Sequence, residues 1–197
     1  MQEHLITKPQ THRVMKLIAS FFAAFLLMVS TQVQAQDKYF TREGHVRFFS
    51  KAALEDIEAN NYQVTSVVVP ETGEMAFSML MKGFEFKNAL MQEHFNEKYV
   101  HSDKHPKAKF EGTWEGAVDM STDGDYHVDV KGTMSLHGVE QEVTATGIFT
   151  VTDGGLSGTS TFNLTLADYD IKIPSAVKDN IAETVEITVK TSYNKMN

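Results

Sequence analysis

The residues best suited to chemistry are histidines, and their spacing decides how little chemistry to expect. His101-Ser102-Asp103-Lys104-His105 sets potential metal ligands at i, i+2 and i+4, and such donors can clasp a divalent cation if the backbone brings them together. Pro106 follows directly and disfavours the helix that would do so, so no metal site is expected. His94 lies in a mostly polar helical stretch and reads as a hydrogen-bonding buttress. His127 and His137 fall on the polar side of their strand and read as solvated. A serine nucleophile needs a neighbouring base on a strained turn. No G-x-S-x-G occurs, and Gly155-Leu156-Ser157-Gly158 has the wrong spacing. Dinucleotide and P-loop glycine patterns are absent too. Asp123 and Asp125 flank Gly124 in a turn, where aspartate serves the backbone, and Asp119 to Asp125 misses the calcium-loop register. The expectation is a protein without a catalytic residue, metal or cofactor.

Composition narrows the class further. The chain has 197 residues with 18 basic and 26 acidic side chains, a formal charge of −8. That sign opposes general nucleic-acid binding, which rests on neutralising phosphates. There is no cysteine, hence no disulfide, thiolate site or lipid-attachment cysteine. Arg13 and Lys16 precede an apolar run from Leu17 to Val29, broken only by Ser20. Thirteen residues are short of the ~20 that a spanning helix needs. Val33-x-Ala35 puts small residues where signal peptidase cuts, so residues 1–35 read as a cleaved signal peptide, with Met15 a better natural start than Met1. Cleavage removes Glu3, Lys8, Arg13 and Lys16, leaving 15 basic and 25 acidic groups over residues 36–197. The expectation is an exported, acidic, single domain located in the periplasm or secreted, without stable membrane insertion.

The elements that must position any site are strands. Period-two alternation runs through Ala108–Val118, Tyr126–His137, Val143–Val151, Ser157–Ala167 and Val185–Tyr193, with Met75, Phe77, Met79 and Met81 forming a further apolar face. Adding Val46–Ser50 and Tyr62–Val69 gives about eight strands. Turn signals at Pro70–Gly73, Ser121–Asp125, His137-Gly138 and Asp153-Gly154-Gly155 join them into a meander. Long meanders with one polar face escape exposed edges by closing into a barrel, although a two-sheet sandwich shows the same alternation. Two short segments, Ala53–Ala59 and Lys87–Asn96, read as helices.

Gly112, Gly132, Gly147 and Gly158 all fall on the apolar parity. Barrels bend at such glycines, and missing side chains on an inner face also leave volume for a guest. The inner parity lacks charge along most strands and carries Phe77, Phe110, Trp114, Phe149 and Phe162 with Met79, Met81, Met134 and Leu164. Such a lining suits an elongated hydrocarbon, since each buried CH₂ is worth ~0.8 kcal/mol. The same residues would equally make a solid core.

Four motifs outside the strand pattern are more specific: Leu90–Glu97, His105–Phe110, Leu136–Val139 and Ala167–Ser175. In this order and spacing the chain resembles the YceI-like family of bacterial polyisoprenoid-binding proteins, from about Thr41 to Val189. The resemblance implies an all-β, lipocalin-like antiparallel barrel in the periplasm that holds a long-chain amphiphile, and it admits a homodimer. Asp168, Tyr169 and Ile171 match the family's D-Y-x-I element, and His94 and Phe95 its H-F element, all as structural or pocket-mouth positions. Lys51–Asn61 departs from the His-x-Gly segment of many members, which bears on the barrel entrance. The reading is a carrier for an isoprenoid or fatty-acyl lipid lined by the nine apolar residues named above, with Asp168, Tyr169 and Ile171 at its margin. A lipid-ester hydrolase using His94 or His137, and a solid-core interaction protein of the envelope, are the alternatives.

Overall fold

In the computed structural model, which describes residues 36–196, the chain forms one closed antiparallel sheet. The signal-peptide reading lies outside these residues. Eight long strands make the wall: β1 (Tyr39–Lys51), β2 (Asp56–Val69), β3 (Glu74–Leu80), β5 (Lys107–Glu115), β6 (Gly124–Leu136), β7 (Val139–Thr152), β8 (Gly155–Thr165) and β9 (Thr184–Lys195). A two-residue strand, β4 (Glu85–Phe86), adds to the upper part of β2. The order β1-β9-β8-β7-β6-β5-β3-β2 closes because β1 also pairs with β2. The barrel expectation is met, and the sandwich alternative is not.

Alternation places the side chains as the pattern requires. Ala108 and Trp114 are buried while Lys107, Lys109, Glu111 and Glu115 are exposed, and Val128 is buried between exposed His127 and Asp129. Two hairpins are set by two-residue turns. His137-Gly138 and Asp153-Gly154 each have positive φ at both positions (54° and 80°, 51° and 75°), the geometry whose twist suits antiparallel strands. These turns lie at opposite ends of the barrel. The β1–β2 hairpin tip, the segment from Met81 to Pro106, the His137-Gly138 turn and the segment from Leu166 to Glu183 crowd one end, the upper one here.

The upper segments contain the only α-helix among the described residues. Helix α1 (Ala89–His94) is capped by the Asn88 side chain, which accepts from the Leu90 amide at 2.9 Å. It runs on into a wider π-type turn over Phe95–Tyr99, closed by the Val100 amide on the Phe95 carbonyl. This agrees with the helix read at Lys87–Asn96. The other helix, read at Ala53–Ala59, is corrected: Asp56 onward is strand β2, and Lys51 pairs with Asp56 across a short hairpin. The charges at Glu55, Asp56 and Glu58 obscured a period-two pattern in which Ala59 and Asn61 point inward and are fully buried. Glu58 instead pairs across the strand with Arg47 at 2.8 Å, and that bond holds its carboxyl below the usual range.

The glycines divide by function. Gly112 and Gly132 oppose each other in register. A Cβ on Gly132 would collide with the Glu111 carbonyl, lie 2.6 Å from the Gly112 Cα and 2.7 Å from the Phe110 ring. The Phe110 ring lies over both glycines, so they seat an aromatic and leave no void. Gly158 likewise seats Phe149, at 3.1 Å. Only at Gly147 does the nearest atom, the Thr159 carbonyl oxygen, stand back to 3.3 Å, with side chains beyond 3.4 Å. Gly132→Ala is therefore expected to cost about 3 kcal/mol by forced overpacking, whereas Gly147→Ala should stay within about 1 kcal/mol of wild type. Urea denaturation of the two variants checks the difference.

Candidate functional site: a two-chambered apolar cavity

The interior is neither filled nor uniform. Two clusters of buried side chains occupy the barrel. The lower one, around Tyr39, Val68, Met75, Trp114, Phe149, Val151 and Tyr193, seals the bottom. Trp114 packs on Phe149 with ring centroids 4.9 Å apart, and the Tyr193 hydroxyl meets Ser66 at 3.0 Å. Burial pushes the Tyr193 phenol upward. Above this floor lies a lower chamber of about 110 Å³, and above that an upper chamber of about 330 Å³. Val46, Met79, Met134 and Ile187 line both and form the waist between them. An apolar cavity of ~150 Å³ already stays dry and takes benzene, so the upper chamber has room for a larger guest. The solid-core expectation is not met.

Each wall of the upper chamber traces to a local cause. Phe48, Phe84, Phe86 and Phe95 contact one another with centroids 5.0 to 5.7 Å apart, fastening α1 and its π-type turn to β1 and β4. The wider turn at Phe95–Tyr99 lets Met91, His94, Phe95, Tyr99 and Val100 all reach the cavity. The β1–β2 tip meets the segment before β9 where the Leu54 amide donates to the Asp179 carbonyl at 2.9 Å and the Ala182 amide to Ser50 Oγ at 2.9 Å. Among the upper lining residues only Ser50, Glu55, His94, Tyr99 and Asn180 bear nitrogen or oxygen in the side chain. No lysine or arginine lines either chamber. Desolvation raises the Tyr99 phenol, which keeps it a neutral hydrogen-bonding group. The arrangement can desolvate a chain and hydrogen-bond a polar end, and it offers no lysine or arginine to an anionic one.

Most of the residues expected to line a cavity do so. Met81, Leu164 and Ile171 line the upper chamber, Phe77, Phe110, Phe149 and Phe162 the lower, and Met79 and Met134 the waist. Three lie elsewhere. Trp114 belongs to the floor. Tyr169 is buried beneath the Leu166–Tyr169 turn, and Asp168 is exposed, its carbonyl accepting from Gln141 Nε2 at 2.8 Å. Sequence reasoning missed Met91, Tyr99, Val100 and Asn180 because they lie in segments without strand alternation. His94 was singled out, and it lines the upper chamber without a hydrogen bond to its ring among the described residues, so the buttress reading is not supported.

His137 also differs from its expectation. Its Nδ1 donates to the Tyr169 carbonyl at 2.9 Å, and its Nε2 lies 2.8 Å from His101 Nδ1. Since a carbonyl only accepts, neutral His137 carries its proton on Nδ1 and accepts at Nε2 from His101. His105 sits edge-on to His137 at 5.0 Å, and its ring occupies the space a Cβ at Gly138 would need, 2.7 Å away. Three histidines thus tie together the 101–105 loop, the His137-Gly138 turn and the Leu166–Tyr169 turn. No group of histidines and carboxylates able to hold a metal occurs among the described residues. No histidine is hydrogen-bonded to a serine there either, and both ring nitrogens of His137 are engaged. The hydrolase alternative, with His94 or His137 as base, finds no serine hydrogen-bonded to either histidine among the described residues.

A closed eight-stranded antiparallel barrel with an apolar interior and a helix across one end defines a small barrel of the ligand-enclosing class. The YceI-like domain family matches residues 26–193, and the chain belongs to that family. Its fold is shared by a polyisoprenoid binding domain from Saccharophagus degradans implicated in plant cell wall breakdown, at 13% identity and a TM-score of 0.70, covering 82% of this chain and 99% of that one. Burkholderia cenocepacia BcnA aligns at 13% identity and TM-score 0.65, over 77% of this chain and 96% of its own. A Campylobacter jejuni YceI protein aligns at 12% identity and TM-score 0.52, over 71% and 84%. No curated protein sequence matches the chain.

The histidine cluster has a pH signature. Desolvation, with His137, His101 and Lys104 nearby, lowers the His105 imidazole below its ordinary value. The folded protein then binds a proton at His105 less readily than the unfolded chain does. Stability is full above the unfolded pKa of ~6.5 and is lost as pH falls through the lower folded value. Urea unfolding at pH 7.5 and pH 5.5 should show a loss in the wild type that shrinks in His105→Gln.

Proposed function

We propose that this protein binds a long-chain amphiphile, an isoprenoid or fatty-acyl lipid, in the barrel interior and carries it in the periplasm without chemical turnover. The observation that supports this most strongly is the pair of apolar chambers sharing one waist, with the carboxylate, imidazole and amide side chains confined to the upper lining and only hydroxyls, those of Thr159, Ser160, Thr191 and Tyr193, in the lower one. Ten methylenes desolvated there contribute ~8 kcal/mol before ordering costs. The gross term is the size of a micromolar affinity.

The polar lining orients the ligand. Glu55, His94 and Asn180 come from the hairpin tip, α1 and the segment before β9, all at the upper end, so the head group sits there and the chain points through the waist toward Gly147. With Glu55 as the lining carboxylate and no lysine or arginine beside it, an uncharged head group with a hydrogen-bond donor is favoured over a phosphate or carboxylate. The polyisoprenoid binding domain that shares the fold supports the same ligand class. No helix among the described residues is long and apolar enough to cross a membrane, and the net −10 of the exported part keeps the barrel off anionic bilayers.

Ala108 is buried in the upper lining. Ala108→Phe projects a ring into the empty volume and should leave thermal stability within about 2 kcal/mol of wild type while weakening uptake of dansyl-labelled geranylgeraniol at least tenfold, read by dansyl fluorescence. Equal affinity in the two proteins would refute the upper chamber as the binding site.

A further inference from the structure

The barrel wall is paired without a break on most sides but not on all. β6 and β7 pair from Gly124↔Val151 to Leu136↔Val139, and β8 and β9 from Leu156↔Tyr193 to Thr165↔Thr184. β7 and β8 pair with each other only from Thr152↔Gly155 to Gly147↔Ser160. Beyond that point β7 continues upward on β6, and β8 continues on β9, with no ladder between them. The resulting slit is pinned at both ends by side chains. Ser160 Oγ donates to the Thr146 carbonyl at 2.7 Å below, and Gln141 Nε2 to the Asp168 carbonyl at 2.8 Å above.

The slit leads somewhere. Val143, Ala145 and Phe162, on its inner face, are half-buried and line the lower chamber, as does Gly147 at its lower corner. The outward residues Thr144, Thr146, Thr161 and Asn163 are exposed and polar, so water can serve the unpaired backbone groups of both edges. Sheet edges are normally paired, covered or blunted. Here two edges face each other, over a cavity, with an apolar inner side and a wet outer side. Gly147 is also the inward glycine whose missing side chain is not replaced by an aromatic ring.

We propose that this slit between β7 and β8 is a lateral portal through which the apolar chain of the bound amphiphile enters and leaves the lower chamber. The proposal rests on the lipid-binding reading above. A chain loaded only from the upper end would have to thread lengthwise past Val46, Met79, Met134 and Ile187. A chain entering sideways avoids that waist. Parting a continuously paired strand pair such as β6–β7 or β8–β9 to admit it would break ladder hydrogen bonds, whereas parting these edges breaks no ladder bond and only the two side-chain pins. The ligand class that can use such a path is a flexible linear chain, isoprenoid or acyl, and not a rigid fused-ring lipid.

The test closes the slit without touching the cavity. Continuing the register of Gly147↔Ser160 places Thr144 opposite Asn163. Both are exposed and neither lines a chamber. The chain has no cysteine, so Thr144→Cys with Asn163→Cys gives a single addressable pair, which a short reducible bis-methanethiosulfonate linker can staple. Stopped-flow loading and release of dansyl-labelled geranylgeraniol is then compared in the stapled and reduced forms of the same protein. A portal predicts that stapling slows loading and release alike, by about tenfold or more, with Kd within about twofold, and that reduction restores both rates. Rates equal in the two forms, with the probe bound, would overturn the portal alone. A probe that wild type does not bind would overturn the lipid-binding reading and the portal with it.

Discussion

Closure of the sheet through β1, hydrogen-bonded to β2 on one side and β9 on the other, is the constraint on which everything else depends. An open sheet of alternating strands would bury its apolar face by folding onto itself, and the phenylalanines and methionines would fill one another's gaps. A ring of eight strands fixes the wall-to-wall distance instead. Side chains of limited length then leave the axis unfilled wherever no long residue happens to reach across. The bottom is filled because Trp114, Phe149 and Tyr193 converge there. The middle is not, because its inward residues include Gly147 and Ala145.

Much of this was legible from residue types. Strand parity predicted which side chains point inward, since a period of two leaves no choice once one face is buried. Parity does not encode depth along the axis. Trp114 was correctly placed inside, and whether it lined a cavity or plugged its end depended on the β2–β3 turn, where the Trp114 amide donates to the Gly73 carbonyl at 2.9 Å. Glycine on an inner face was likewise ambiguous. Gly132 and Gly147 look alike in the sequence, yet a neighbouring Phe110 ring covers one and nothing comparable covers the other. The segment at 53–59 was misread because charge at three positions outweighed a two-residue alternation that only cross-strand partners such as Arg47 make visible. His137 was misread for a related reason. Its partners, His101 and the Tyr169 carbonyl, lie more than thirty positions away along the chain.

The upper end gathers what strand logic does not govern: a short helix with a π-type turn, a hairpin tip, and the loops joined by three histidines. These are also the segments that carry the family's distinguishing motifs. The D-Y-x-I element supplies Ile171 to the chamber wall and the Tyr169 carbonyl to His137. The Leu136–Val139 motif supplies both the tight turn and the imidazole that meets that carbonyl. Tyr169 and His137 act here by holding the loops that shape the enclosure, while Ile171 forms part of its wall. On the proposed function, specificity would come from few polar atoms at the rim and from chain length set by the waist and the floor.

The central claim is that the interior exists to be occupied by an oily chain. Protein isolated from cells that export it, extracted with organic solvent and compared with a blank by mass spectrometry, tests this most directly. The account predicts a long-chain amphiphile in the extract at about one molecule per barrel. An extract indistinguishable from the blank would contradict it.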